Sequence, residues 1–266
     1  MKGRVLIIAG SDPSGGAGIQ ADIKTVTALG GYAATAITAL TVQNTLGVTG
    51  VHAIAGDIIA GQVEAVLSDI GADAIKIGMI GTLETAEVIE AALKAHPDIP
   101  VVLDPVLVAT SGDALGDTEV AHFIRDRLLP LTTIVTPNLP EAEALTGVPV
   151  TGDDGQKAAG AALIRAGANA ALVKGGHDQG ETVCDVLVTG GGKARVFMKP
   201  RIETTSTHGT GCTLASAVAT GIAQGLPLEQ AVARAIDYVW TAIKTAPGYG
   251  AGHGPLNHAH TMRPVE

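Results

Sequence analysis

The feature of this sequence that most restricts its fold is the alternation of short apolar runs with segments of helical spacing. Residues 5–9 are continuously apolar, as in a strand buried on both faces of a sheet. Residues 17–29 then place apolar side chains at helical spacing. The same alternation predicts strands at 33–40, 74–77, 101–103, 133–135 and 171–173, and helices at 58–67, 83–93, 123–129, 156–165, 212–224 and 228–244.

Such an alternation indicates βαβ units, and therefore a mainly parallel sheet covered by helices on both faces. Residues 183–188 and 194–198, joined by three glycines, predict an antiparallel hairpin beside it. No linker or break in composition divides the chain. We therefore expect a single domain over residues 1–266, built as a three-layer α/β/α sandwich.

Composition and charge argue against several classes of protein. The net charge is −9 with no run of Lys or Arg, which disfavours nucleic-acid binding. No apolar run approaches the roughly 18 residues of a membrane span, and the N-terminus is typical of a first strand rather than a secretory signal. Cys184 and Cys212 have neither metal-site spacing nor a disulfide framework. We expect a protein of a reducing compartment, the cytoplasm.

Polar motifs follow four of the predicted strands. In parallel sheets of this class, ligands bind at the carboxyl ends of the strands, so these motifs are expected to meet at one site. The motifs are Gly10-Ser11-Asp12, Asp104-Pro105, Pro137-Asn138 and Lys174-Gly175-Gly176.

Gly209-Thr210-Gly211-Cys212 stands directly before a predicted helix of small apolar residues. Glycines permit a tight turn, and the helix start offers backbone N–H groups and the positive end of its dipole to an anion. The same helix start favours the ionised form of the Cys212 thiol. By itself the motif fits an ordinary turn with a packed cysteine equally well. Because GxxxxGK[ST] and GxGxxG are absent, a kinase would need this turn as its phosphate cradle.

Beyond these motifs, the chain resembles the hydroxymethylpyrimidine/phosphomethylpyrimidine kinase family of thiamine biosynthesis, in the ribokinase-like superfamily. The resemblance covers nearly the whole chain. It rests on IAGSDPSGGAGIQADIKT (8–25), TALTVQNT (38–45), IKIGM (75–79), DPV (104–106), TPNLPEAE (136–143), VKGGH (173–177), THGTGCTL (207–214) and GHGPLNH (252–258).

The resemblance implies catalytic roles for the GTGC turn. Cys212 would be the base that accepts the proton of the substrate hydroxyl, and Gly209, Thr210 and Gly211 would supply N–H groups to the transferring phosphoryl group. Sugar kinases of the superfamily usually carry Asp at the position of Cys212, so a cysteine indicates the pyrimidine branch. Cys184, on a predicted strand, is expected to be a packed side chain.

The resemblance further implies ATP and Mg²⁺. Glu141, acting through a water, and Asp104 would serve the metal, since Mg²⁺ prefers hard oxygen ligands. Asn138 and Lys174 would contact the nucleotide, with Thr182 and His177 beside them. Asn138, Pro140 and Glu141 also fit a helix cap, and Lys174 also fits a solvated lysine.

For the substrate pocket, the resemblance implies Gln43, Asp22, Gly10, Met79 and Val106. A side-chain amide such as that of Gln43 can donate a hydrogen bond to a ring nitrogen of an aminopyrimidine and accept one from its amino group. Met79 fits a core position nearly as well, and Asp22 fits a solvated helix carboxylate.

The expected activity is phosphorylation of 4-amino-5-hydroxymethyl-2-methylpyrimidine, and then of its monophosphate, by an enzyme that the resemblance implies to be a homodimer. Two alternatives stay open. One is a pyridoxal kinase with the same GTGC chemistry. The other is a non-catalytic protein that binds the vitamin precursor, against which Cys212, Asn138, Glu141 and Lys174 argue.

Overall fold

A computed structural model describes residues 1–107, 118–176, 178 and 180–262. Within these residues, nine strands form one sheet in the order β3-β2-β1-β4-β5-β6-β7-β8-β9. The strands are β1 (Arg4–Ser11), β2 (Tyr32–Asn44), β3 (Gly47–Ala53), β4 (Ala74–Ile77), β5 (Val101–Leu103), β6 (Ile134–Val135), β7 (Ala170–Val173), β8 (Thr182–Thr189) and β9 (Lys193–Pro200).

Within the described residues, six of the eight α-helices fall between strands, and the last two follow β9. The helices are α1 (Gly18–Ala28), α2 (Gly56–Asp69), α3 (Leu83–Ala95), α4 (Thr118–Phe123), α5 (Leu139–Thr146), α6 (Gly152–Arg165), α7 (Thr210–Ala223) and α8 (Leu228–Lys244). After α4 the chain continues as a π turn, Ile124–Leu128, and a 3-10 turn, Leu129–Leu131. The helix predicted over 123–129 is therefore mostly a π turn followed by the start of a 3-10 turn.

The centre of the sheet is parallel and its edges are antiparallel. β1 pairs in parallel with β2 and β4, and parallel pairing continues through β5 and β6 to β7. β8 and β9 form the predicted antiparallel hairpin beside β7. The carboxyl ends of the parallel strands consequently share one edge of the sheet.

Successive side chains of the buried strands point to opposite faces of the sheet, so they pack in two separate apolar cores. In β1, Leu6 and Ile8 pack in the core that faces α2, α3, α5 and α6, whereas Val5 and Ile7 pack in the core that faces α1, α7 and α8. This arrangement confirms the predicted three-layer α/β/α sandwich.

The edge of the sheet that β2 and β3 form differs from the prediction. β2 runs past residue 40 to Asn44 and pairs with β3, a strand that the sequence did not predict. The β3 segment contains two glycines and little alternation, so its pattern is that of a loop. It becomes a strand because β2 extends beyond the sheet and offers it free backbone partners.

Over the part of the chain that is described, none of the helices combines the length and the apolar character that a membrane crossing would require.

Candidate active site

A cavity of about 730 Å³ lies at the carboxyl ends of the parallel strands. Its wall collects nearly all the residues that the sequence analysis assigned to a site, although they come from distant parts of the chain. These are Gly10, Gln43, Met79, Asp104, Val106, Asn138, Glu141, Lys174, Gly209, Thr210, Gly211 and Cys212.

The GTGC turn forms the start of α7 at the centre of this cavity. Gly209 has φ +78°, and a β-carbon there would overlap the carbonyl of Gly16, so this position requires glycine. The N–H of Thr213 makes an intrahelical bond to the carbonyl of Gly209. The N–H groups of Gly211 and Cys212 precede this bond and have no intrahelical acceptor. The helix start therefore presents an anion cradle to the cavity.

The thiol of Cys212 is partly exposed to the cavity, but its ionisation differs from the prediction. Burial raises the pKa of Cys212 to about 11, and the carboxylates of Asp22 and Asp104 act in the same direction. Lys76 and the N–H of Gly18 oppose them without compensating. The expectation of a thiolate favoured by the helix terminus was wrong, because desolvation and two nearby carboxylates outweigh the helix dipole.

Asp104 and Lys174 form an ion pair beside the cradle. Lys174 Nζ lies 2.8 Å from Asp104 Oδ1 and 4.0 Å from Glu141 Oε2. Burial alone would lower the pKa of Lys174, but the two carboxylates raise it above its usual value. A β-carbon added at Gly211 would lie only 3.1 Å from this ammonium. Lys174 is thus no solvated lysine, and its charge stands next to the anion cradle.

Asn138 and Glu141 start α5 with a reciprocal capping box. The N–H of Glu141 donates to Asn138 Oδ1 at 2.8 Å, and the N–H of Asn138 donates to Glu141 Oε2 at 2.8 Å. The capping interpretation is therefore confirmed, and the same two side chains line the cavity. Burial raises the pKa of Glu141 to about 7, with Asp104 adding to the effect and Lys174 opposing it.

The end of the cavity nearest β1 and β2 combines the apolar side chain of Met79 with the polar side chains of Thr41 and Gln43. A β-carbon at Gly10 would lie 3.1 Å from Met79 Sδ, so the wall is closely packed there. Thr41 Oγ1 lies 3.0 Å from the carbonyl oxygen of Ser11 and 3.2 Å from Gln43 Oε1, so the two acceptors share its one proton. Gln43 lines the cavity with Met79 and Val106, and an amide beside apolar side chains suits a flat heteroaromatic ring.

Two predicted site residues do not line this cavity. Asp22 is 0% exposed and accepts hydrogen bonds from Lys76 Nζ and Ser216 Oγ, so it is neither a wall residue nor a solvated carboxylate. It faces inward because α1 packs its Asp22 side against the sheet and α7. Thr182 is exposed at the start of β8, and its neighbour Val183 lines the wall instead. His177 lies outside the described residues.

The structure adds a polar link that sequence reasoning left without a role. Asp12 Oδ2 lies 2.8 Å from His208 Nε2, and the Asp12 carboxylate also accepts the N–H groups of Ser14 and Ala17. Burial would raise the pKa of Asp12, but these bonds, His208 first, lower it to about 2. The link ties the loop after β1 to the GTGC turn. Its only sequence signal was the position of Asp12 and His208 within the two glycine-rich motifs.

The far end of the cavity, beside α8, contains the single tryptophan of the chain. Trp240 Nε1 donates to the carbonyl of Pro200 at 2.9 Å, and the ammonium groups of Lys199 and Lys244 lie 5.7 and 5.0 Å from its ring centroid. Ile236, Trp240 and Ile243 all line the wall. Their spacing along α8 was a detectable signal that was read only as a helix.

Comparison with known proteins agrees with this geometry. The sequence profile of the family described as phosphomethylpyrimidine kinase matches residues 12–257. The chain belongs to the phosphomethylpyrimidine kinase family. The hydroxymethylpyrimidine/phosphomethylpyrimidine kinase of Rhizobium meliloti is 48% identical over 258 residues, which cover 96% of each protein. The thiamine biosynthesis bifunctional protein ThiED of Geobacter sulfurreducens is 48% identical over 257 residues, and the chain spans about half of that protein's length, 52%.

Among solved structures, this chain aligns with a pyridoxal kinase. The pyridoxal kinase of Staphylococcus aureus in complex with AMP-PCP and pyridoxal matches with a TM-score of 0.90 at 33% identity, over 99% of this chain and 96% of that one. The ribokinase-like fold implied by the sequence motifs is confirmed.

Proposed function

We propose that this protein transfers the γ-phosphoryl group of ATP to the hydroxymethyl oxygen of 4-amino-5-hydroxymethyl-2-methylpyrimidine, and in a second turnover to the resulting monophosphate. The observation that carries the proposal is the order of features along one cavity. Gln43 of β2 lies at one end, the anion cradle of Gly209–Cys212 at the start of α7 in the middle, and Trp240, hydrogen-bonded to Pro200 of β9, at the other end.

In the first turnover, the hydroxyl proton passes to Sγ of Cys212 in its thiolate form as the substrate oxygen attacks phosphorus. The O–H bond breaks, an S–H bond forms, and the P–O bond to ADP breaks. When the transition state is loose, proton transfer to the base contributes little to catalysis. Most of the rate enhancement then comes from positioning the reactants and from stabilising charge. The N–H groups at the start of α7 and the Lys174 ammonium are placed to stabilise that charge.

Asp104 and Glu141 offer the hard oxygen ligands that Mg²⁺ prefers. Among the described residues, no group of three or more His, Cys, Asp or Glu side chains could hold a metal. This donor set fits Mg²⁺, which is commonly bound by one or two carboxylates together with substrate phosphates. When bound, the ion would neutralise triphosphate charge.

Because the pKa of Glu141 is about 7, stabilisation of the protein by Mg²⁺ and AMP-PCP is expected to increase from about pH 6 to about pH 8. Glu141 must lose its proton before its charge can attract the ion. Thermal unfolding with and without Mg²⁺ at the two pH values measures this difference.

Glu141→Gln keeps an oxygen for the N–H of Asn138 and is expected to flatten the pH dependence. Glu143→Gln, on an exposed position of the same helix, is the matched control and should behave like the parent. An unchanged pH dependence in Glu141→Gln would remove Glu141 from the proposed metal site.

Gln43→Ala is expected to raise the Kd of the pyrimidine about 10- to 100-fold, since a hydrogen bond to a buried polar group is worth about 1–3 kcal/mol. The KM for ATP should stay within about twofold of the parent. Calorimetric titration and initial rates measure the two quantities. Asn44→Ala, at the exposed next position of β2, is the control, and equal losses for both ligands would contradict this map of the pocket.

Pyridoxal is the second candidate acceptor, because one of the similar solved structures is a pyridoxal kinase. An ATP-consumption assay with the hydroxymethylpyrimidine, its monophosphate and pyridoxal separates the possibilities. Turnover with both pyrimidines supports the proposal, and turnover with pyridoxal alone would move it to vitamin B6 phosphorylation. No turnover with any of the three would favour the non-catalytic alternative.

We also propose that the protein is a cytoplasmic homodimer. Edge strand β3 and its neighbour β2 carry exposed apolar side chains, among them Val42, 64% exposed, and Val51, 51% exposed. Such a patch on an edge is a common site of association. Val42→Lys should convert the dimer to a monomer in sedimentation equilibrium; a wild-type monomer would reject the proposal.

A further inference from the structure

A buried lysine lies behind the catalytic cradle and has no part in the mechanism given above. Lys76 is 0% exposed within β4 and points to the sheet face of α1 and α7, opposite to its neighbours Ile75 and Ile77. Its Nζ lies 2.9 and 3.0 Å from the two carboxylate oxygens of Asp22, which is also 0% exposed. Replacing a buried ion pair by apolar residues is often neutral or stabilising, so folding by itself gives little reason for this pair.

The pair is held in position from three elements. Asp22 belongs to α1, Lys76 to β4, and Ser216 of α7 donates to Asp22 Oδ1 at 2.7 Å. Ser216 lies one helical turn after Cys212, so the hydrogen bond fixes the pair beneath the start of α7. A β-carbon at Gly78 would lie 2.8 Å from Lys76 Nζ, so the chain also leaves space for the ammonium there.

The charges that act on the Cys212 sulfur come from every element around it. Lys76 of β4 and Lys174 after β7 are attractive to a thiolate, whereas Asp22 of α1 and Asp104 after β5 are repulsive. Lys174 is bonded to Asp104 and faces the cradle. Lys76 is the cation with the largest influence on the sulfur from the protein interior.

We propose that Lys76 is a positioning residue for catalysis, whose buried ammonium stabilises the thiolate of Cys212, while Asp22 and Ser216 hold that ammonium in place. The inference deepens the proposed function and rests on it for its catalytic meaning. A thiol must lose its proton before Sγ can accept the proton of the substrate hydroxyl. A fixed cation in a poorly solvated site stabilises the thiolate far more than an exposed one would.

The test measures thiolate formation directly, without ATP or pyrimidine. In a Cys184→Ser background, Cys212 is the only thiol, and its alkylation by iodoacetamide is followed by intact mass between about pH 7 and pH 10. Lys76→Met is expected to slow alkylation about threefold or more. Each unit by which the pKa of Cys212 increases lowers the thiolate fraction about tenfold, and the greater nucleophilicity of the more basic thiolate offsets part of that loss. Asp22→Asn is expected to accelerate alkylation, because it removes a repulsive charge.

The opposite signs separate an electrostatic role from a structural one. Damage to packing would change the rate in the same direction in both variants. Ile77→Val, a packing change in the same strand, is the control and should leave the rate unchanged. The double variant Asp22→Asn/Lys76→Met leaves no unpaired buried charge and keeps the test valid if Lys76→Met does not fold. It should alkylate more slowly than the parent, because the influence of Lys76 exceeds that of Asp22.

Kinase assays on the same variants connect the effect to catalysis. Lys76→Met or the double variant should lower kcat for the hydroxymethylpyrimidine, with partial recovery at higher pH and little change in the KM for ATP. The inference would be overturned, even if the kinase is active, by equal alkylation rates in the parent, Asp22→Asn and the double variant. It would also be overturned if Asp22→Asn changed the rate in the same direction as Lys76→Met or the double variant. Shifts of opposite sign in a protein without kinase activity would leave the electrostatic pair standing and reject the proposed function.

Discussion

Replacing Cys212 by alanine is expected to slow phosphorylation of the hydroxymethylpyrimidine by about 100-fold or more, in the range observed for loss of a general base. The KM for ATP should change little, because the N–H groups of the cradle belong to the backbone and remain. Initial rates with saturating ATP measure the loss. Cys184→Ala, half-buried on β8, is the matched control and should retain the parent rate.

The second phosphorylation provides an internal comparison for the same variant. A phosphate monoester has already lost its protons near neutral pH, with a second pKa of about 6, so its attacking oxygen has no proton to give to Cys212. Cys212→Ala should therefore slow this step by about tenfold or less. Equal losses in both steps would show that the substitution damages the cradle rather than removes a base, and near-parent rates in both would reject the assignment.

The raised thiol pKa adds a prediction about pH. Because the pKa of Cys212 is about 11, the thiolate fraction in the protein without its ligands increases throughout the range from about pH 6 to pH 9. The first phosphorylation should accelerate over this range, and this dependence should disappear in Cys212→Ala. A flat profile for the parent enzyme would indicate that proton transfer to sulfur does not limit the rate.

Lys174→Met is expected to lower kcat/KM for ATP by about 10²- to 10³-fold, the effect of removing one group that stabilises transition-state charge. The substitution also leaves Asp104, 1% exposed, without its cation. Loss of one partner of a buried pair costs about 3–5 kcal/mol of stability, so the variant should also unfold at lower temperature.

The two effects are separable by restoring charge balance. Lys174→Met/Asp104→Asn also neutralises the carboxylate that lies 2.8 Å from the ammonium and leaves only Glu141, 4.0 Å away, without its cation. Part of the lost stability should therefore return while kcat/KM stays low. Lys157→Met removes an exposed lysine that pairs with Asp154 at 3.0 Å, and it should change neither property. If activity returned in the double variant together with stability, Lys174 would be a structural residue only.

Much of the site was predictable because its signals are local. Apolar runs of strand length place Asp104, Asn138 and Lys174 directly after β5, β6 and β7, and parallel strands bring such positions to one edge. The GTGC turn was readable because Gly209 must adopt a positive φ before α7 can begin. The motifs that carried the family resemblance lie around the same cavity.

Other features were not readable from local patterns. Asp22 has the spacing of an exposed helix residue, yet it is buried against Lys76, 54 residues away, and Ser216, 194 residues away. Strand β3 exists because β2 offers it a partner, although its own sequence resembles a loop. Trp240 was part of a predicted helix, and only the packing of α8 turned it toward the cavity.

The sequence by itself determined the order of strands and helices, the layered fold and the edge of the sheet at which the polar motifs meet, because hydrophobic period and turn residues act over a few positions. The tertiary structure decided which of those side chains reach the cavity and which protonation state each of them adopts. Burial keeps Cys212 protonated and moves the titration of Glu141 to near neutrality, whereas Lys76 stays charged because the carboxylates of Asp22 and Asp104 raise its pKa against the effect of burial. Desolvation and Coulomb interactions depend on burial and on distances in space, which cannot be deduced from separations along the chain.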